Sequence, residues 1–440
     1  MSRTKHYSTK PQKERAFLVG IEIRESNNLF TMEDSLSELL QLSDTAGLEI
    51  VGDISQKLEH PNPETYVGSG KVNEIKMLVE MANADVIVFD VDLSPRHQRE
   101  LEEKFGLNIK VIDRTALILD IFAQHAQTRE GSLQVELAQY EYRLPRLTRA
   151  WNHLARQAGG ASVRTGSVGG VGLRGPGETQ LEVDRREIRR RISSLKESLE
   201  KVRLQRKQHR YRRQKSNTPI IALVGYTNAG KSTLLNTITR SDIYTADKLF
   251  ATLDPTTRRL KLSGIYDVLI TDTVGFIQKL PTQLIAAFRA TLEEIAEADL
   301  LLHVVDISHN NAILHIKSVQ ETLSEIGADN IPIITVLNKI DLLPDPDSIQ
   351  TAFSDLTNSV AISAVDGTGI PDLFELLEEQ LFKSLIPIDI FLPYNEGQLI
   401  SLAQYQGQIT KVTHEIGGVQ IKGYLPGRLY VYFQKFIDMN

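Results

Sequence analysis

The 440-residue sequence contains no cysteine. That excludes a disulfide framework, a thiolate nucleophile and any cysteine-bound zinc or iron–sulfur site, and it suits a reducing compartment. No apolar run approaches the roughly 20 residues that a bilayer-spanning helix requires. The opening Met1-Ser2-Arg3-Thr4-Lys5-His6 is polar and lacks the apolar centre of a secretory leader. A cytoplasmic protein is therefore expected, with peripheral membrane association left open. Hydrophobic residues make up 41% and charged residues 24%. These are ordinary globular values, and the length suggests two to four domains with ample core.

Negative charge is scarce in one region. Residues 185–215 carry 14 Lys or Arg against Glu187, Glu197 and Glu200, a balance of +11, although the whole chain is −6. The remainder is thus near −17. A basic segment on an acidic protein reads as a footprint for a polyanion, or more blandly as a solvated helix face.

Gly225-Tyr226-Thr227-Asn228-Ala229-Gly230-Lys231-Ser232 follows the apolar run 219–224. The spacing G-x-x-x-x-G-K-[ST] is that of a phosphate-binding loop between a strand and a helix. Gly225 and Gly230 let amides curl around phosphates at a helix N-terminus. Lys231 would reach the β- and γ-phosphates, and Ser232 would offer its hydroxyl to Mg2+. Asp272-Thr273-Val274-Gly275 closes the next apolar run. There a strand-end carboxylate would hold the Mg2+ shell, and Gly275 would present its N–H to the γ-phosphate.

Asn338-Lys339-Ile340-Asp341 follows a further run, 331–337. A carboxylate such as Asp341 accepts from both N1–H and the 2-amino group of guanine. Adenine offers neither donor, so the site would reject it strongly. Ser363-Ala364-Val365 looks like the last base-contacting loop. Phosphate loop and guanine reader in this order predict a Mg2+-dependent GTP hydrolase that also binds GDP.

Between the phosphate loop and Asp272 lies Phe250-Ala251-Thr252-Leu253-Asp254-Pro255-Thr256. A mobile loop here needs a threonine to coordinate Mg2+ and sense the γ-phosphate. Thr252 is the choice and Thr256 the alternative. Lys231, Thr252 and Gly275 are the catalytic candidates, and Ser232 and Thr252 the metal ligands. Phe276 stands where a water-orienting Gln is found in Ras-like enzymes. Hydrolysis is therefore expected to be slow until a partner contributes or repositions a catalytic group.

The first 15 residues read as a disordered tail. Residues 16–128 alternate strand and helix patterns, which implies a parallel α/β domain. Gly68-Ser69-Gly70-Lys71 is a turn opening a helix rather than a second phosphate loop, since Thr65 and Val72 break the pattern. Residues 129–215 read as an antiparallel helical hairpin. Leu133, Leu137, Tyr140 and Leu144 form one seam, and Ile188, Ile192, Leu195, Leu199 and Val202 the other. Pro145 should interrupt the first arm. The joining loop, 159–177, is rich in glycine and holds Arg164 and Arg174 but no acidic residue. With Arg185 and Arg186 these are the candidate RNA contacts, although a plain linker has the same composition. Residues 216–385 read as a P-loop GTPase domain with a doubly wound sheet. Residues 386–440 read as a small α+β domain: a strand near 388–392, a helix near 396–404, and a hairpin through 411–421 and 429–433.

The segment from Gly169 to Arg186, with Gly-Leu-Arg174-Gly-Pro-Gly-Glu-Thr-Gln180 at its centre, resembles the signature of HflX GTPases. So do Phe250-Ala-Thr-Leu-Asp-Pro-Thr256 and Asp272-Thr-Val-Gly-Phe276, and the order of domains matches over nearly the whole chain. The resemblance implies a stress-linked translation factor that binds the large ribosomal subunit and its RNA. Such a factor splits stalled ribosomes for recycling, with hydrolysis stimulated by the ribosome. Separately, the chain is expected to act as a monomer. An assembly checkpoint on immature subunits, as in Era- and Obg-like factors, is the alternative. A third reading is a non-ribosomal GTPase whose hairpin binds protein or membrane.

Overall fold

The computed structural model describes residues 13–24, 29–106, 108–148, 176–215, 218–239, 249–250, 255–262, 266–279, 295–343, 353, 356, 358–382, 385–426, 432–433 and 435–436. The chain forms two compact units. Unit 1 comprises Met1–Glu197 with Gln278–Ala287, and unit 2 comprises Ser198–Ile277 with Phe288–Asn440.

Unit 1 is built on a four-stranded parallel sheet in the order β2-β1-β3-β4. Its strands are β1 (Arg15–Ile23), β2 (Glu49–Leu58), β3 (Val86–Phe89) and β4 (Lys110–Asp113). Helices α1 (Met32–Thr45), α2 (Ser69–Ala82), α3 (Pro95–Phe105) and α4 (Arg114–His125) alternate with them. The starts are written in the sequence. Thr31 and Asp34 form a reciprocal capping box for α1. Ser94 caps α3 ahead of Pro95, and Asp113 caps α4. The Gly68-Ser69-Gly70-Lys71 stretch opens α2, with Gly68 as its N-cap. Phe17, Val19, Ile87, Phe89, Leu101 and Phe105 pack into one core.

The carboxyl end of this sheet holds a buried charge cluster. Arg114, 1% exposed, donates to Asp90 Oδ1 at 2.6 Å and to Glu38 Oε2 at 2.9 Å. Lys279, in the short stretch of later chain that belongs to this unit, donates to Asp90 Oδ2 at 2.8 Å and Ser35 Oγ at 2.9 Å. Two cations thus share one fully buried carboxylate, so none of these charges is stranded in a low dielectric.

Helix α5 (Arg129–Arg143) ends two residues before Pro145, where the sequence places the interruption. It is fastened to β4 by Asp113, which accepts from Tyr142 Oη at 2.8 Å and Arg146 Nη2 at 3.1 Å. The Arg146 guanidinium lies 3.5 Å over the Tyr142 ring. Val135, Ala138 and Tyr142 are therefore buried as well as Leu137, so α5 carries more than one apolar seam. Helix α6 (Pro176–Lys215) is the second arm and spans 40 residues. Ile188, Ile192, Leu195, Leu199 and Val202 are all at least partly covered, while most of their described neighbours are exposed. Arg191 pairs with Glu136 at 2.7 Å and Lys196 with Glu141 at 2.8 Å, which ties this arm to α5. Arg164 and Arg174 lie outside the described residues; Arg185 is partly covered and Arg186 exposed.

Unit 2 contains a six-stranded sheet in the order β10-β9-β8-β5-β7-β6. The strands are β5 (Ile220–Gly225), β6 (Thr256–Leu262), β7 (Tyr266–Asp272), β8 (Leu300–Asp306), β9 (Ile333–Asn338) and β10 (Ser359–Ala361). All pairings are parallel except β6 with β7. The sheet is therefore mixed at one edge. Helices α7 (Lys231–Thr239), α8 (Ala312–Glu325) and α9 (Ile370–Phe382) accompany it. A second, three-stranded antiparallel sheet combines β11 (Leu385–Pro393), β12 (Gln408–Glu415) and β13 (Gly418–Pro426) with α10 (Gly397–Gln406). Here the expected hairpin is displaced. The run 411–421 is not one strand but two, because Gly417 takes φ 97° and reverses the chain. Tyr432 and Phe433 are helical, not a strand, and Phe433 is fully buried.

Among the described residues no helix is long and apolar enough to cross a membrane. Replacing Arg114 by Ala is expected to destabilise the protein by about 3–5 kcal/mol, because it leaves buried carboxylates without their cation. Urea unfolding followed by circular dichroism would measure the loss.

Candidate nucleotide site

The phosphate loop runs from β5 into α7. Asn228, at its exposed tip, takes φ 60°, and Gly230 takes φ 94°. A side chain at Gly230 would also place its Cβ 2.3 Å from Asn338 Nδ2, so the position is closed to every other residue. Lys231 is buried and donates to the carbonyls of Tyr226 at 2.8 Å and Gly225 at 3.2 Å. Burial pushes its ammonium down to about 8, against the opposing pull of the Asp272 carboxylate. Under the loop, His303 on β8 is pushed down to about 4 by burial and by the Lys231 charge, so it is neutral at pH 7.

Ser232 Oγ donates to Asp272 Oδ2 at 2.6 Å. A hydroxyl and a carboxylate side by side are hard oxygen donors of the kind Mg2+ prefers. The donor set therefore fits the ion that the sequence implies. Thr273 is fastened by its hydroxyl to the Leu223 carbonyl at 2.6 Å, and Val274 is partly covered. Gly275 then crosses so close that a Cβ would lie 2.8 Å from Thr227 Cα and 3.0 Å from Lys231 Nζ. The chain is zipped onto the phosphate loop by Thr227 N to Phe276 O at 2.8 Å and Phe276 N to Gly225 O at 3.0 Å. Phe276 is 2% exposed. Its ring is core, and it offers no group to orient water. Tyr226 stacks on His315 with centroids 3.9 Å apart, and His309 tilts over His315 at 4.6 Å.

Asn338 ends β9 and joins three loops. Its Nδ2 donates to the Ala229 carbonyl at 2.9 Å, and its Oδ1 accepts from the Ala364 amide at 3.0 Å. Thr237 of α7 adds a hydroxyl bond to the Ala364 carbonyl at 2.5 Å. Ser363 and Ala364 are buried while Val365 is 77% exposed. Lys339 takes φ 69°, which turns the chain so that Ile340 and Asp341 enter a short 3-10 turn. Asp341 is exposed.

The structure thus brings together 225–232, 272–276, 338–341 and 363–365. Phe250 is buried at φ 58°. Ala251, Thr252, Leu253 and Asp254 lie outside the described residues. The alternative, Thr256, begins β6 opposite Asp272 rather than standing in a loop. Sequence reading missed β6, whose Arg258-Arg259 and Lys261 obscure its alternation. It also missed the Thr237 contact and the pairing of Lys339 Nζ with Asp306 Oδ2 at 2.6 Å; only the position of Asp306 at the end of an apolar run signalled the latter.

Three families match the chain. Residues 33–123 match the GTP-binding GTPase N-terminal family, 125–213 its middle region, and 220–339 the 50S ribosome-binding GTPase family. The GTPase HflX of Caldanaerobacter subterraneus subsp. tengcongensis is 44% identical over 93% of this chain and 90% of its own length. The GTPase HflX of Escherichia coli is 45% identical over 94% of each. The solved structure of SsGBP with GDP has a TM-score of 0.46 at 24% identity, covering 84% of this chain and 99% of that one.

Bound phosphate favours the charged lysine, so Lys231 must titrate higher in the complex than in the free protein. Guanine-nucleotide affinity should be flat below about pH 8 and fall above it, with proton uptake on binding at pH 8.5. Calorimetry in two buffers of different ionisation enthalpy would detect that proton. Gly275→Ala should slow GTP turnover by about tenfold or more, because its Cβ displaces Thr227 or Lys231; steady-state phosphate release would measure it.

Proposed function

Because the chain belongs to the HflX family of GTPases, we propose that this GTP hydrolase is a cytoplasmic translation factor that binds the large ribosomal subunit and splits stalled ribosomes for recycling. The observation that carries the reading is the match of residues 220–339 to the 50S ribosome-binding GTPase family. The strongly basic second arm of the same chain supports it.

Roles within the site follow from their chemistry. Backbone amides of 225–232 cradle the phosphates, and Lys231 neutralises the β- and γ-oxygens. Ser232 and Thr252 would hold Mg2+, with Asp272 in its outer shell. That ion supplies charge neutralisation at the phosphates when bound. Phe250 to Asp254 is the segment that senses the γ-phosphate, and Gly275 offers its amide to the same group. Ile340 and Val365 flank the base, Asn338 sets the distance between the loops, and Asp341 reads the guanine edge. With Phe276 in the core, no side chain at that position activates water, so basal turnover is slow and the ribosome supplies the missing organisation. The basic arm, with Arg164, Arg174, Arg185 and Arg186, gives salt-sensitive affinity for RNA.

Sedimentation of joined ribosomes with the protein and a non-hydrolysable GTP analogue tests this reading. Conversion of the joined peak into subunits is expected. An unchanged profile defeats splitting, and selective association with immature subunits instead favours an assembly checkpoint. Asp341→Ala should weaken GTP binding by about a hundredfold or more, since it strands two guanine donors, and fluorescence titration would measure that.

A further inference from the structure

Asp306 ends β8 and lies directly opposite Asn338 in the parallel β8–β9 register. The next amide, Ile307 N, donates to the Asn338 carbonyl at 3.2 Å. The step that leaves β8 therefore runs beside the step that enters the base-reading turn. Both oxygens of Asp306 are engaged. Oδ1 accepts from Ser308 N at 3.0 Å and Ser308 Oγ at 2.5 Å. Oδ2 pairs with Lys339 Nζ at 2.6 Å.

We propose that Asp306 is a positioning residue for guanine-nucleotide binding, acting by holding Lys339 in its binding pose before nucleotide arrives. This rests on the reading of residues 338–341 as the base site. Lys339 has a backbone that few non-glycine residues adopt, at φ 69°. Its long side chain would otherwise sample many rotamers, and fixing them during binding would cost affinity. The Asp306 carboxylate is itself fixed by Ser308, so it offers a rigid anchor rather than a second flexible arm. The two side chains are only 16% and 22% exposed, which sets this pair apart from an ordinary surface ion pair. With the ammonium tied back, the methylenes of Lys339 are presented to a flat purine face while the charge keeps its partner.

The pair acts on the base, which GTP and GDP share. Asp306→Asn keeps an acceptor for Ser308 but removes the anion from Lys339. It should weaken GDP and GTP equally, by about tenfold, and raise KM without an equal loss in kcat. A purely structural role would instead lower the melting temperature and kcat together.

The test is a double-mutant cycle on GDP affinity by calorimetry, using parent, Asp306→Asn, Lys339→Ala and the double variant of the full chain. Asp306→Glu, which restores the charge, serves as rescue, and Asp306→Ser, which also removes the charge, replaces Asp306→Asn if that variant fails to fold. The expected result is that Asp306→Asn costs nothing further once Lys339 is gone, and that Asp306→Glu recovers part of the affinity. Unchanged affinity in Asp306→Asn, or losses that simply add, overturns the proposal. Ser308→Ala removes the hydroxyl that helps fix the carboxylate but leaves the Ser308 amide bond and the Lys339 pairing, so it should cost GDP affinity clearly less than Asp306→Asn; a loss as large as that of Asp306→Asn would assign the effect to the turn and overturn it as well. If Lys339→Ala itself leaves GDP affinity unchanged, the base-site reading fails first, and the Asp306 proposal with it.

Discussion

One buried side-chain amide holds the candidate site together. Asn338 spends a donor on the phosphate loop and an acceptor on the last base loop, at 2.9 and 3.0 Å. It is 1% exposed, so each of those bonds would leave an unpaired buried group if broken. Gly230 is glycine because Asn338 Nδ2 occupies the space where its Cβ would stand. The distance between the phosphate loop and the 363–365 loop is thus set by one residue at the end of β9.

The remaining chemistry is a problem of buried charge. Lys231 is kept at the floor of the cradle on backbone carbonyls, with a depressed ammonium that an incoming triphosphate would restore. His303 beneath it stays neutral, so it adds no competing charge to the cradle. Phe276 fills the position from which a glutamine would address water, and its backbone is bonded to the phosphate loop on both sides. Among the described residues, the cradle is built to grip phosphate and offers no side chain at the Phe276 position to address water. In unit 1 the same economy appears in different form, with Asp90 shared between Arg114 and Lys279 at the end of a parallel sheet.

Much of this was legible in the residues. The phosphate loop, Asp272–Gly275 and Asn338–Asp341 are local motifs whose spacing alone fixes strand, turn and helix, and helices such as α1 begin at caps that the sequence spells out. What was not legible depends on partners distant in sequence. The edge strand β6 has a short, charge-rich pattern and owes its existence to antiparallel pairing with β7. That pairing moved Thr256 out of the loop to which composition assigned it. Arm α5 carries apolar residues on more than one face because Tyr142 and Arg146 bind Asp113, a partner 29 and 33 residues away. The turn at Gly417 was passed over inside the run 411–421, because its weight against the flanking β-forming residues appears only once β11 supplies the third strand.

The claim on which this account rests is that one Asn338-centred pocket reads guanine and grips phosphate at once. The direct measurement is calorimetric titration of the magnesium-supplemented protein and its Asn338→Ala variant with GDP, and with ADP as control. One GDP site in the parent, negligible ADP binding, and GDP affinity about a hundredfold weaker in the variant are predicted. ADP binding equal to GDP, or a variant that binds GDP as the parent does, would contradict it.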